Sequence, residues 1–581
     1  MMKSGLRFVA CGVVGLLGGG CGLLIGYEDA TLIQPDAGTG GATAGTTSTG
    51  SQGGAAGTGG SLGCTPGSTA PCYSGPDGTQ GVGICKAGSK TCNAEGTGYG
   101  ACSGDVTPGV ETCAVAGDEN CDGIACSDNE WSFLAGDPSN QVITSMAIDP
   151  TGNILVAGYF DGTLKFFNKA NNSSVVLNTA GGMDFFLAKF SPDGDVLWGK
   201  SFGGAGDNGY AITVAVDTSG NVAISGTLLL STNFGGPLVT GASGKETLFI
   251  VMYDSAGMHE WTKSFVATTV AASAIAFDSA GNVVIGGSSS GAMMVGATTF
   301  SDTGARDAFV AKFAGLTGSP VWANQYKEQS GMPSGNQAIY GVALDGQDNI
   351  YITGSFSKSI FLQGNVNTVG GGFDEDAFAA KLDSAGVLSW RGIWGTPGLD
   401  AGDAIAVDAS ANVIVSGHIS TGSVNFGGGS LTTSGGNQYT FLAKYTNAGV
   451  YSHAKVFTGV SSSDNSPTGL ATDAADNVYL TGSMGKDLDL GGGALIKSGP
   501  GSGFVDIFLG KFDSSLNHTW SKSFGSGKLQ TATALRHDHS SNRLVLAGNV
   551  VGSVNFGKKL LIAASSMPGS NTDFALAKFF P

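Results

Sequence analysis

The chain has 581 residues, 98 of them Gly, and only 13% are charged. Its formal charge is 28 − 45 = −17. Phosphate backbones repel such a chain and no basic stripe runs along it, so nucleic acid is excluded as a partner. Long helical periodicity is absent and Gly-rich turns recur throughout, which points to an extracellular all-β protein rather than a helical cytosolic enzyme.

MMKSGLR supplies Lys3 and Arg7, FVACGVVGLL forms a short apolar core, and GGGC ends at Cys21. This is the order of an export signal. A Cys directly after small residues resembles a bacterial lipoprotein signal, which implies cleavage before Cys21 and a lipid on it. Gly18 stands three residues before that Cys, with Leu17 one further back. An ordinary cleaved signal and an uncleaved anchor are the alternatives; the Gly run disfavours the anchor helix. An acylated chain is tied to a membrane without spanning it, at the bacterial outer membrane or cell surface.

The signal is assigned to residues 1–21 and a tether to 22–63. From Pro35 to Gly63 the chain is mostly Gly, Thr, Ser and Ala. Such a segment lacks the apolar bulk to fold, and its r.m.s. reach is about 30 Å.

Residues 64–126 hold Cys64, Cys72, Cys85, Cys92, Cys102, Cys113, Cys121 and Cys126, and the rest of the chain beyond them has none. Eight cysteines in a small exported module predict four disulfides, with pairing left open. A zinc site is the weaker alternative, because the module has no CxxC pair and no His.

Within it, PGVETCAVAGDENCDG (108–123) gathers Glu111, Asp118, Glu119, Asn120 and Asp122 around two cysteines. The segment resembles the MopE-type metal-binding motif of bacterial surface proteins, with Glu119 and Asn120 departing from its usual D-N-D-C-D-G run. Carboxylates and an amide carbonyl suit a hard cation such as Ca²⁺; a solvated acidic turn is the alternative. Copper has little support, since imidazole and thioether ligands are not clustered there. No cofactor is required by any other feature.

From 127 to 581 one unit recurs. Its marker is an Asp with an Asn four residues on: Asp149/Asn153, Asp217/Asn221, Asp278/Asn282, Asp345/Asn349, Asp408/Asn412, Asp473/Asn477 and Asp538/Asn542. Each lies between two apolar runs, as in AVDASANVIVSG from Ala406, and reads as a hairpin turn. A second marker follows each, as in DFFLAKF from Asp184, and has the bulk of a strand buried on both faces. A third carries Trp, as in VLWGKSFGG from Val196. These predict a four-stranded meander per unit, hence an all-β, seven-bladed β-propeller. The markers resemble SBBP-type bacterial propeller repeats.

The last unit ends on DFALAKF before it reaches a Trp strand, whereas EWSFLAGD stands alone before the first unit. Trp131–Leu134 is therefore expected to pair with Asp573–Phe579, closing the ring and removing a sheet edge. The chain is read as a monomer. Lys189, Lys312, Lys381, Lys444, Lys511 and Lys578 recur in the second marker, with Met252 in that place in the second unit. They are expected to make ion pairs between blades.

Candidate chemistry is sparse. His537 and His539 flank Asp538 and share a strand face, as two metal ligands would, but no third ligand is evident. Asp374, Glu375 and Asp376 form an acidic loop suited to Ca²⁺ or to solvation alone. No GxSxG, HExxH or phosphate-binding loop occurs; a spatial carboxylate pair, as in glycosidases, leaves no local signature. The expected function is non-enzymatic binding or scaffolding at the envelope, with a polysaccharide or another surface protein as ligand. A hydrolase or lyase acting on glycans and a structural coat protein are the alternatives.

Overall fold

The computed structural model describes residues 63–76, 79–82, 84–108, 129–328, 334–368, 374–434, 438–457, 465–499, 504–564 and 571–581. They fall into two compact units divided after Cys126. The first unit contains a short antiparallel pair, Thr69–Cys72 with Gly88–Thr91. Disulfides join Cys64 to Cys92 and Cys72 to Cys102, and Cys85 is also disulfide-bonded. So small a hydrophobic core needs such staples. Cys113, Cys121 and Cys126 lie outside the described residues, as do Cys21, Glu111, Asp118, Glu119, Asn120 and Asp122.

The second unit is a propeller of seven four-stranded antiparallel sheets, and no helix occurs among its described residues. Blade 1 is built from Gln141–Ile148, Ile154–Phe160, Asp184–Phe190 and Val196–Phe202, hydrogen-bonded in that order. The first strands of neighbouring blades touch in an unbroken circuit of seven, so they line the axis. Third strands are almost wholly buried; all seven residues of Asp184–Phe190 are. The core lies between blades: Phe185 of blade 1 packs with Phe234 and Phe249 of blade 2, with ring centroids at 6.3 and 5.4 Å. Each such buried Phe contributes about 1.5–3 kcal/mol.

The seventh sheet closes the ring. Asn129–Ala135 pairs antiparallel with Asp573–Phe579, placing Trp131 opposite Lys578 and Ala135 opposite Phe574. Each blade also departs from a simple meander. A two-stranded hairpin, such as Thr163–Asn168 with Ser173–Asn178, is inserted between its second and third strands. That insertion lengthens every repeat.

The Asp–Asn turns explain their own recurrence. In blade 1, Asp149 Oδ1 accepts from the Thr151 and Asn153 amides, both at 2.9 Å, and its Oδ2 from Asn153 Nδ2 at 2.8 Å. In six turns the residue before the Asn is left-handed: Gly152, Gly220 and Gly281 (φ 84, 84 and 76°), then Asp348, Ala411 and Asp476 (φ 62, 61 and 61°); in the seventh it is Asn542 itself (φ 52°). Glycine takes that conformation without penalty and the others do not.

The lysines correct the expected pairing. Each ion pair lies within one blade: Lys189–Asp149 at 2.9 Å, Lys312–Asp278 at 2.7 Å, Lys444–Asp408 at 2.8 Å and Lys578–Asp538 at 3.3 Å. The link between blades is instead a hydrogen bond. Lys189, Lys312, Lys381, Lys444 and Lys578 Nζ donate to carbonyls of Ser255, Ser384, Asn447, Ser514 and Pro192, each in the next blade's turn between third and fourth strands. Sequence separation alone does not tell which half of this bridge crosses the seam. Blades 4 and 6 insert a phenol: Tyr351 and Tyr479 donate to Asp345 and Asp473, while Lys381 and Lys511 lie 5.3 and 5.2 Å from the ring centroids.

Candidate functional site: a charged sector at one mouth of the ring

Each first strand runs into its Asp–Asn turn, so the turns lie at one end of the sheets and the starts of the third strands at the other. The residue before each third-strand marker stands at that second end. Around the ring it is Met183, Glu246, Arg306, Glu375, Gln438, Val505 and Thr572. Blades 2, 3 and 4 thus place acid, base and acid in succession, while the other blades carry no charge there.

Contacts among these residues define a sector. Tyr210, on the first strand of blade 2, donates to Glu246 Oε1 at 2.5 Å, and Glu246 Oε2 accepts the Val270 amide of blade 3 at 2.7 Å. Burial raises the pKa of Tyr210, Glu246 adds to the rise, and Arg306 opposes it. Tyr340, on the first strand of blade 4, is also raised by burial, with Glu375 and Asp403 adding and Arg306 opposing. Arg306 therefore acts on both phenols. Among the described residues its guanidinium makes no hydrogen bond or ion pair, although its backbone is tied to Asn336 and Gln337.

Blade 5 completes the sector. His418 Nδ1 and Asp403 Oδ2 are 2.7 Å apart. Burial disfavours the imidazolium, but Asp403, helped by Asp400 and Glu375, outweighs it and raises the His418 pKa. In other blades the position of His418 is Tyr159, Thr227, Ser288, Ser355, Ser483 or Asn549. Thr227 and Asn549 use it to bond the next blade's first strand, at Val270 O and Ile143 O. His418 turns to a carboxylate on its own blade instead.

Buried carboxylates stand at the same end of five blades, two of them, Asp307 and Asp376, within the sector. Asp184, Asp307, Asp376, Asp506 and Asp573 open their third strands, and burial raises the pKa of each. Asp307 and Asp376 rise to about 7; for Asp376, Asp400 and Asp374 reinforce the effect of burial. The Gly after the Trp strand makes room for them. A Cβ at Gly203, Gly395, Gly525 or Gly136 would overlap Asp184, Asp376, Asp506 or Asp573 respectively.

The acidic loop is drawn into this sector: Asp374 accepts the Gly398 amide at 2.5 Å and Glu375 accepts Ser355 Oγ at 3.4 Å. At the turn end, His537 and His539 present Nδ1 atoms 3.2 Å apart, beside Asp149, Asp217 and Asp538 in a cavity of about 210 Å³. Those carboxylates are engaged by their own turns and by Lys189 and Lys578. Burial lowers the His537 pKa, and its Nε2 meets Asn542 Oδ1 at 2.9 Å. Among the described residues no group of three or more His, Cys, Asp or Glu side chains is arranged to hold a metal.

The sector escaped notice in the sequence because its members lie about one repeat apart with no local motif. Alignment of the seven units on the second marker, read one residue upstream, is the signal that finds it.

No protein-family model matches the chain. It is 24% identical over 366 residues to an uncharacterised WD repeat-containing protein of Acanthamoeba polyphaga mimivirus. The match covers 51% of this chain and 25% of that protein, so it spans about a quarter of the relative's length. Similar solved structures include BamB from Moraxella catarrhalis, 11% identical with a TM-score of 0.33, covering 78% of this chain and 99% of that one. The β-propeller domain of the Trilobed protease from Pyrococcus furiosus is 7% identical with a TM-score of 0.34, covering 72% and 92%. Sqt1 from Chaetomium thermophilum is 10% identical, also with a TM-score of 0.34, covering 75% and 99%.

Proposed function

We propose that this protein is an exported binding or scaffolding lipoprotein of the SBBP type, recognising a surface protein or envelope polysaccharide through the charged mouth. Cys21 would carry the lipid and the following tether would raise the folded units from the membrane. The segment with Glu111, Asp118, Glu119, Asn120 and Asp122 would take Ca²⁺. The observation that carries the binding reading is Arg306: a guanidinium without a partner among the described residues, between Glu246 and Glu375, in a ring whose other blades are uncharged at that position. A ring needs no such group to close; a ligand carboxylate or phosphate would satisfy its planar donors.

The test uses the full chain from Cys21 with disulfides intact, titrated with envelope polysaccharide and with surface-protein extract, with calcium and with chelator. Saturable binding that falls at least ten-fold in Arg306→Glu, with no fragments released, is expected. Fragment release would replace this reading with a glycan hydrolase or lyase. Saturable binding indifferent to Arg306→Glu would remove the mouth as its seat.

A further inference from the structure

The turn of blade 7 departs from the other six. In those, the Asn donates from Nδ2 to the Asp Oδ2 at 2.8–3.0 Å. In blade 7, Ser541 Oγ and Lys578 Nζ take that place on Asp538 Oδ2. Asn542 turns away instead, and its Oδ1 lies 2.9 Å from His537 Nε2. This is also the turn flanked by histidines. His537 and His539 stand where blade 1 has Ile148 and Pro150 and blade 2 has Val216 and Thr218.

The new bond fixes a tautomer. An amide oxygen only accepts, so His537 Nε2 carries the proton and the neutral ring keeps its lone pair on Nδ1. That Nδ1 stands 3.2 Å from His539 Nδ1, with the ring planes 73° apart and the centroids at 4.6 Å. Two imidazoles on one ion at about 2.0–2.1 Å, at angles from square to tetrahedral, hold their nitrogens roughly 2.9–3.4 Å apart. The observed separation falls in that range. Tyr479 of blade 6 stacks on His537 at 6.2 Å and 10°, and its hydroxyl is tied to Asp473. The buried ring is thus held from two sides, while His539 beside it is exposed.

Charge at the pair favours a cation. The two histidines border a cavity of about 210 Å³ together with Asp149, Asp217 and Asp538. Lys189 and Lys578 neutralise Asp149 and Asp538. Blade 2 has Met252 in the lysine's place, and among the described residues the Asp217 carboxylate is held only by amides of Ser219 and Asn221.

We infer that His537 and His539 bind a divalent late transition-metal ion through their Nδ1 atoms, with Asn542 as the positioning residue that orients His537. A hydrogen bond from the far nitrogen of a ligating imidazole is the usual support of such a site. Imidazole suits Cu²⁺, Ni²⁺ and Zn²⁺, and Cu²⁺ is held most tightly. Among the described residues no third His, Cys, Asp or Glu converges on the pair, so the ion keeps positions open to water or to a donor from a ligand. The site uses none of the residues of the charged mouth and none of those proposed for Ca²⁺.

The test is calorimetric titration of the full chain, disulfides intact, with Cu²⁺ and with Zn²⁺ in excess Ca²⁺, which occupies sites built of hard oxygens. A single saturable site per chain is expected, tighter for Cu²⁺, and the bound Cu²⁺ should give an electron paramagnetic resonance spectrum split by two nitrogens. Affinity should fall at least ten-fold in His539→Gln, where the replaced ring is exposed and the fold is preserved. Asn542→Gly keeps the left-handed backbone (φ 52°) but removes the acceptor; it should weaken binding about ten-fold and alter the Cu²⁺ spectrum. His453→Gln should bind as the parent does. Absence of saturation overturns the inference and leaves the pair a plain N–H···N hydrogen bond; full affinity in His539→Gln overturns it as well. Full affinity and an unaltered spectrum in Asn542→Gly overturn the positioning role. Arg306→Glu should leave both titrations unchanged, which separates this outcome from that of the mouth.

Discussion

In blades 1, 3, 4, 6 and 7 the two ends handle a buried aspartate in opposite ways. At the turn end, Asp149 meets Lys189, Asn153 and Thr151, and these outweigh burial to bring its pKa down to about 2. At the mouth end, Thr303, Gln325 and the charge of Lys327 act on Asp307, but burial, reinforced by Glu328, outweighs them and carries its pKa up to about 7. Asp506 and Asp573 there each keep a buried oxygen without a hydrogen-bond partner. The lesson is that a repeated Asp is held as a charge where a tight turn, its Asn and a lysine or phenol converge on it, and is driven toward neutrality where burial outweighs the donors around it.

The largest effect should come from taking the cation away. Lys312→Met leaves Asp278, whose side chain is 2% exposed, as an unpaired buried charge. A loss of about 3–5 kcal/mol is expected at pH 7, most of it recovered in Asp278→Asn/Lys312→Met, read by denaturant melts. At the mouth end the sign should reverse. Asp307→Asn is expected to stabilise by about 1–2 kcal/mol at pH 8, after the lost acceptor bonds are set against the removed charge. A loss there would erase the contrast between the two ends.

The pH profile sharpens the same contrast. The turn-end contribution of Asp149 is present above its ordinary 3.8 and is lost as pH falls through about 2. Asp307 and Asp376 bind protons more tightly in the folded state, so stability falls as pH rises from 3.8 through about 7. His418, raised by Asp403, stabilises most below its ordinary 6.5 and loses this as pH climbs through its elevated value. Thermal melts should therefore peak near pH 4 and decline on both sides, with a flatter alkaline limb in Asp307→Asn. The smallest effect belongs to the turn backbone. Ala411→Gly relieves a φ of 61° and should gain about 0.5 kcal/mol, whereas Gly152→Ala should lose stability.

The fold was legible because it is written in local chemistry repeated seven times. Asp with Asn four residues on makes a turn whatever the rest of the chain does, and alternation around Phe and Ala makes a buried strand. Even the closing pair, Asn129–Ala135 with Asp573–Phe579, followed from one surplus and one missing copy. The inserted hairpins were not legible: Thr232–Asn233 with Leu238–Val239 spans two residues a side and has no period to detect. Nor was the direction of the lysine bridge, because Asp149 and Ser255 both lie far along the chain from Lys189. The charged mouth and the turn that holds the histidine pair are differences between copies. Arg306 and the role of Asn542 stand out only once neighbouring blades show what each position normally does.

The seventh blade has a consequence in time. Its outermost strand ends at Ala135 and its partner begins at Asp573. At ~5–20 residues per second, roughly 20 to 90 s of synthesis separate the two. Through that interval Trp131, Phe133 and Leu134 wait without the strand they are built to cover. Six blades can assemble in order as they appear, but the ring must hold its first strand in reserve until the last is made. A factor that shields that strand until the chain is complete would govern yield more strongly than the stability of the finished ring.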